Sequence, residues 1–167
     1  MEFESNLMSQ ETPNHFELRR LKAIADFQFG KGAGDALFSK NITIEKSRGT
    51  KRIRFVFQNK IRICSFRPKD GFLVPSLLGG EILHKNGFGF VVVISSEAEP
   101  FVRKGKTVFA KHVIEAAREI SSKEEVIIIN SNKEYIGIGT AKISGPLMLE
   151  MDRGVAVDTR KGVEEKQ

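Results

Sequence analysis

FVRKGKTVFAKHV, residues 101–113, sets the reading of everything around it. Three cations, Arg103, Lys104 and Lys106, surround a single glycine, Gly105, and the run passes into an apolar-periodic segment in which Thr107 is expected to cap a short helix. Phe109 and Val113 lie four apart and would face a core, leaving Lys104, Lys106 and Lys111 outside. Glycine permits a tight turn and lets a ligand come close to the backbone. Backbone N–H groups and positive charge would then meet at a helix N-terminus, which suits phosphate. The same residues also describe a solvated loop before an ordinary helix, so the flanking sequence has to decide.

Downstream, EEVIIIN (124–130) is a β-branched run suited to a central strand, and Asn130-Ser131-Asn132-Lys133 is turn chemistry. YIGIGTAKI follows, with Ile136 and Ile138 alternating with Gly137 and Gly139, so one face of this strand packs and the other is bare backbone. Either a helix of the chain itself or a ligand must approach that face. Ser144-Gly145-Pro146 starts a short helix containing Leu147, Met148 and Met151. Asp152-Arg153-Gly154 turns the chain into a last strand through Val155 and Val157 that ends at Arg160, before a polar tail at 163–167. Strands of this length and spacing predict a small, partly open barrel over 99–162.

Upstream, residues 1–14 lack apolar periodicity and read as a loosely held tail. From His15, the apolar residues Phe16, Leu18, Leu21, Ile24 and Ala25 recur at helical spacing. In DFQFGKGAGDALF, Gly30, Gly32 and Gly34 alternate, but no strand precedes them and Lys31 is followed by glycine, so the phosphate-loop pattern fails. A structural glycine turn, with Asp26 and Asp35 as caps or turn formers, is the expectation. Three strands should follow at 42–46, 52–57 and 60–66. Ile53, Phe55 and Phe57 alternate with Arg52, Arg54 and Val56, so one face should be core and the other basic. With Arg48 and Lys51 in the SRGTKR connection, this predicts a cationic β-ribbon. The turn FRPKDG, a helix from Ser76 and the strand FGFVVVI complete an α+β unit expected over 15–98.

The 167 residues suffice for two small domains, and 40% hydrophobic residues for their cores. Of the net charge of +6, the segment 40–69 carries more than its share: ten Lys or Arg against the single acid Glu45. Such a distribution favours polyanionic partners. One cysteine, Cys64, excludes an internal disulfide and reads as a small core residue in a reducing compartment. No apolar run approaches a membrane span and the acidic start is unlike a signal peptide, so a cytoplasmic protein without a membrane partner is expected. His15, His84 and His112 are not at ligand spacing with any cysteine or paired carboxylate, so no metal site is expected.

The order GKTVFAKHV, EEVIIIN, EYIGIGTAKISG, a short helix with Met148, and RGVAVDTRKG resembles a PUA domain, a small RNA-binding pseudo-barrel, over about residues 99–162. The runs DFQFGKGAGDALF, IEKSRGTKRIRFVF and RPKDGFLVPSLLG resemble the domain that precedes the PUA module in the archaeal tRNA-guanine transglycosylases of archaeosine synthesis. The resemblance implies an α+β N-terminal domain followed by a β-rich PUA pseudo-barrel. It implies that Arg103, Lys104, Gly105, Lys106, Lys111, Gly137 and Gly139 hold the acceptor stem and 3′ end of tRNA. The ribbon cations Arg48, Lys51, Arg52 and Arg54 would add a second contact. Recognition should be mainly by shape, since the chain has one Tyr, no Trp, and Phe residues mostly at core spacing. The resembling enzymes carry out base exchange on a separate (β/α)8 barrel with active-site aspartates and a nearby zinc site, neither of which this chain can supply. The expectation is therefore a non-catalytic RNA-binding protein without cofactor or metal, docking tRNA for a modification enzyme on another chain. The alternatives are a non-catalytic subunit of a split tRNA-guanine transglycosylase or archaeosine-synthesis complex, and a ribosome-biogenesis or translation-associated PUA factor.

Overall fold

The structure, a computed structural model, describes residues 9–39 and 41–165. It divides into two compact units, Met1–Val74 and Pro75–Gln167.

In the first unit, helices α1 (His15–Phe29) and α2 (Ala33–Leu37) precede strands β1 (Ile42–Lys46), β2 (Ile53–Gln58), β3 (Ile61–Phe66) and β4 (Leu73–Pro75), which hydrogen-bond in that order. A capping box starts α1: Asn14 accepts from the Glu17 amide while the Glu17 carboxylate accepts from Asn14, both at 2.9 Å. The glycine run is a turn. Gly30 and Gly32 take φ of 116° and 102°, and Asp26 Oδ1 accepts from the amides of Gly32 and Gly34 to start α2. A side chain at Gly34 would lie 2.5 Å from the Lys22 backbone, so the two helices can cross only with glycine there.

The three strands fall where they were read, but the core face of β2 is the opposite one. Val56 is fully buried and pairs with the buried Ile44 and Cys64, whereas Ile53, Phe55 and Phe57 are only half-buried on the other face. Val56 is held inward between its two buried cross-strand partners, and a bulge in β3, where the register passes from Val56↔Cys64 to Phe57↔Arg62, brings Ile63 inward beside Cys64. Residues 9–14 also depart from expectation, since Glu11 pairs with Ile44 through two backbone hydrogen bonds at 2.9 and 2.7 Å and extends the edge of β1. Residues 1–8 of the expected tail lie outside the described residues.

Cys64 is buried, and loss of solvation pushes its thiol well above the ordinary value, Arg62 opposing only weakly. We expect it to be inert to thiol reagents at pH 8 in the folded protein and to react once the first unit opens. Rapid labelling under native conditions would contradict the packing described.

The second unit contains α3 (Leu77–Lys85), β5 (Phe90–Ile94), α4 (Glu99–Arg103), β6 (Val108–Phe109), β7 (Val113–Ala116), β8 (Glu125–Ile129), β9 (Tyr135–Ala141), α5 (Gly145–Glu150) and β10 (Val155–Gly162). Its sheet runs β6-β10-β9-β8-β5-β7. The end strands β6 and β7 are joined by one 3-10 turn, Ala110–His112, which draws the sheet into a nearly closed pseudo-barrel around Val92, Val102, Ile128, Ile136, Met148 and Ala156. Ser76 and Ser144 cap α3 and α5, and the Asn130 side chain closes the β8–β9 turn by accepting from the amides of Asn132 and Glu134.

Three expectations change here. Strand β5, read as closing the first unit, pairs in parallel with β8 inside the second sheet, and the contact boundary falls at 74/75 rather than near 98. Val92 and Ile94 of this run are fully buried in the core of the second unit, and the parallel neighbour EVIII is buried along its whole length. The segment after Thr107 is strand and a 3-10 turn rather than helix, and the helix lies before Gly105, with Pro100 in its first turn. Strand β10 continues to Gly162, and Val163 and Glu164 donate backbone hydrogen bonds to Ile136 and Arg103; of the expected tail only residues 166–167 lie outside the described residues.

Candidate nucleic-acid interface

In the second unit the cationic loop leaves the C-terminal end of α4, not the N-terminal end of a helix. Lys104 is its C-cap and Gly105 takes φ +83°, its amide donating to the Val102 carbonyl at 2.9 Å. The anion-binding geometry expected of a helix N-terminus is therefore absent from this loop. Arg103 turns inward to Glu99 at 2.9 Å, with Glu134 and Glu164 at 3.8 and 3.9 Å. A hydrogen bond from Asn130, followed by the Arg103 guanidinium, holds the Glu99 carboxyl below its ordinary value against the opposing effect of burial. Arg103 thus ties α4 to its neighbours. Over Gly105 stands the carboxylate of Glu165, which also accepts from the Gly162 amide at 3.1 Å and pairs with Lys161 at 3.2 Å. The close approach permitted by Gly105 is taken by the chain's own acid.

Gly137 and Gly139 are both buried. A side chain at Gly137 would lie 2.6 Å from the Lys161 carbonyl, and one at Gly139 would meet the Asp158 carbonyl and lie 3.0 Å from Thr159 Cα. The bare face of β9 is covered by β10, bent over it at the register shift between Thr159 and Lys161. The group that approaches is strand β10, and these two glycines present no open surface.

What remains outward in this unit is a cationic and aromatic surface. Lys104, Lys106 and Lys111 are exposed, as are Phe101 on α4 and Phe109 on β6, at 64% and 46%. Phe109 does not face the core: its register opposite Val155 on an end strand two residues long turns it outward, while Val108 is fully buried. Phe16 and Phe27 on α1 are exposed as well, at 78% and 79%, while the other described Phe residues are buried or half-buried.

In the first unit Arg48, Lys51, Arg52 and Arg54 are all exposed along the β1–β2 loop and the start of β2. The β2–β3 link is a tight hairpin in which Asn59 and Lys60 both have positive φ, 48° and 66°, as a primed turn requires. This hairpin sets Arg62 opposite Phe57, and the guanidinium carbons of Arg54 and Arg62 each lie 5.3 Å from the Phe55 ring centroid. The position of Arg62 beside Phe55 was not read from the sequence because it depends on the bulge; the signal available was the recurrence of Arg and Phe in RIRFVF and IRICSF around a two-residue link.

Among the described residues no three His, Cys, Asp or Glu side chains converge in a group able to hold a metal ion, and no helix is long and apolar enough to cross a membrane.

The second unit, a nearly closed sheet whose end strands meet through one turn, is matched over residues 90–163 by the family profile of the PUA domain, an RNA-binding domain. The profile described as the patch-forming domain C2 of tRNA-guanine transglycosylase matches residues 19–87. A tRNA-guanine(15) transglycosylase of Methanothermobacter thermautotrophicus is 40% identical over 148 residues, covering 87% of this chain and 23% of the relative. A hypothetical protein of Pyrococcus horikoshii superposes with a TM-score of 0.71 at 18% identity, over 95% of this chain and 96% of that one. A PUA domain from Aeropyrum pernix gives 0.68 at 15% identity, over 94% and 87%. The chain carries the C2 and PUA domains together, as the C-terminal region of archaeal tRNA-guanine(15) transglycosylases does. It spans about a quarter of the length of the curated relatives it matches.

Proposed function

We propose that the chain is a non-catalytic, cytoplasmic RNA-binding protein that docks tRNA by its acceptor stem and 3′ end for a modification enzyme supplied by another chain. The observation carrying this reading is the exposed set Lys104, Lys106 and Lys111 beside Phe101 and Phe109, on a domain of an RNA-binding family. Lysines would position phosphates, and the rings would meet the unpaired bases of a tRNA end. The ribbon cations Arg48, Lys51, Arg52 and Arg54 would hold the RNA backbone as a second contact. Within the loop Arg103 and Gly105 act as supports, since both are engaged by acidic side chains of the chain itself.

Binding of the full chain to tRNA with and without its 3′ CCA end, across a salt series, tests the proposal. Removal of the end is expected to weaken binding about tenfold or more, in line with the loss of one or two stacked bases. Lys104→Ala, Lys106→Ala and Lys111→Ala should each weaken all tRNAs alike and lower the salt slope by roughly one. A response that is flat in salt would sink the reading.

A second reading rests on the pair of domains shared with the transglycosylases: a chain carrying C2 and PUA together would serve as a non-catalytic subunit of a split tRNA-guanine transglycosylase or archaeosine-synthesis complex. Co-purification of a catalytic chain whose activity depends on this one would favour it. Preference for ribosomal RNA over tRNA in the same assay would instead mark a ribosome-associated factor.

A further inference from the structure

The Glu165 carboxylate over Gly105 carries an inference beyond the exposed lysines. We propose that it stands in a phosphate position: Lys161 Nζ and the Gly162 amide bind a backbone phosphate of the RNA once Glu165 swings away, so that this acid is an internal competitor at the docking surface. This rests on the RNA-docking reading and extends it to Lys161, Gly162 and Glu165.

The donors around this carboxylate are those of an anion site. One oxygen accepts from the Gly162 amide at 3.1 Å and the other from Lys161 Nζ at 3.2 Å. A backbone N–H and an ammonium converging on an oxyanion, beside backbone without a side chain, also suit a phosphodiester. The bare backbone is that of Gly105, where a side chain would collide with the carboxylate, and the Gly105 amide is already given to Val102. Gly105 thus offers room and no donor, and supports whichever anion stands over it. Lys104 and Lys106 flank it, exposed and without an acidic partner among the described residues.

Three other acids near the loop are committed to the fold, since Glu99, Glu134 and Glu164 surround Arg103 at 2.9, 3.8 and 3.9 Å. Glu165 turns instead to Lys161 and Gly162. Its pair with Lys161 spans four residues and leaves 50% of the lysine side chain open to solvent, and pairs of this kind hold weakly. Rotation about the Glu165 side-chain bonds releases both donors without moving the backbone, which is held separately by the amides of Val163 and Glu164, bonded to Ile136 and Arg103 at 2.9 and 2.8 Å. An arriving phosphodiester carries the same charge as the carboxylate, so the donors are satisfied in both states. The rest of the polymer favours the exchange, because neighbouring phosphates meet Lys104 and Lys106 and release their counterions. A free phosphate ion brings no such neighbours, so the position selects a phosphate that belongs to a strand.

Glu165→Gln keeps the length of the side chain and removes its charge. In titrations of the full chain with fluorescently labelled tRNA across a salt series, it is expected to tighten binding about threefold to tenfold and to steepen the salt slope by about one, because Lys161 is then free before the RNA arrives. Glu164→Gln removes the same charge one position away and should change affinity by less than about twofold with the slope unaltered. Lys161→Gln should weaken binding, and on that background Glu165→Gln should do no more than Glu164→Gln does. In the isotopically labelled, unaltered chain the Gly162 amide resonance should move on addition of tRNA and stay in place with inorganic phosphate at matched ionic strength. Thermal unfolding of each variant separates a folding defect from a binding one, and the Gly162 resonance tests the exchange should a variant unfold. Unchanged or weaker tRNA binding by folded Glu165→Gln, or a gain that persists in full on the Lys161→Gln background, would overturn the phosphate position and leave the docking reading standing. So would a Gly162 resonance that tRNA leaves in place or that inorganic phosphate moves as far. Failure of the unaltered chain to bind tRNA would overturn the docking reading itself.

Discussion

Gly162→Val is expected to unfold the second unit, at a cost of roughly 4 kcal/mol or more. A side chain at this position would meet the backbone carbonyls of Val102 and Arg103 and lie 2.6 Å from the Arg103 carbonyl carbon. These are backbone atoms of the last turn of α4, so no side-chain rotation can relieve the collision; the helix has to leave the barrel or β10 has to leave β9. Gly87→Ala is the matched control in the same unit. It has φ +76° and nothing within 4 Å of the added carbon, so it should cost about 1 kcal/mol, the left-handed backbone penalty by itself. Chemical denaturation read by circular dichroism compares the two. If Gly162→Val cost no more than Gly87→Ala, the close passage of β10 beneath α4 would be wrong.

The second large effect belongs to Glu125. Its side chain is 3% exposed and accepts from Arg160 Nη1 at 2.7 Å, while Arg160 Nη2 donates to the Pro75 carbonyl at 2.6 Å. Removing one member of a buried pair leaves the other charge poorly compensated. Glu125→Gln should therefore lower stability by about 3 kcal/mol, the low end of the usual range because Arg160 keeps 32% of its side chain exposed. The double replacement Glu125→Met with Arg160→Met removes both charges and should recover much of that loss. A double variant as unstable as Glu125→Gln would mean that packing, not the charge left behind, sets the cost.

Features governed by neighbours in the chain were legible in the sequence. The strands at 42–46 and 61–66, the serine caps at Ser76 and Ser144, the Asn130 turn and the glycine turn after α1 depend on spacing and local chemistry. The order of motifs in the second half made the pseudo-barrel recognisable. What the sequence concealed depended on distant pairing. The pairing of Val56 with Ile44 and Cys64 makes the core face of β2 the opposite of the one read and leaves Phe55 half-buried. The parallel neighbour of β5 is more than thirty positions away, so a strand assigned to one unit belongs to the other. Gly137 and Gly139 do mark a close approach, as read; nothing local says that the approaching group is β10. Gly105 likewise announces a turn, but its direction follows from whether the helix precedes or follows it, and Pro100 was the signal for a helix start.

The sheet order of the second unit has a consequence for synthesis. Strands β1 to β4 of the first unit bond in the order in which they leave the ribosome, so that unit can complete its pairing while the rest is still being made. In the second unit β10 lies between β6 and β9 and is translated after every other strand. Until it emerges, β6 has no neighbour in the sheet and the glycine face of β9 stands open, beside the apolar runs of β5 and β8. The nascent second unit must wait exposed for its final strand, tethered to a first unit that is already folded.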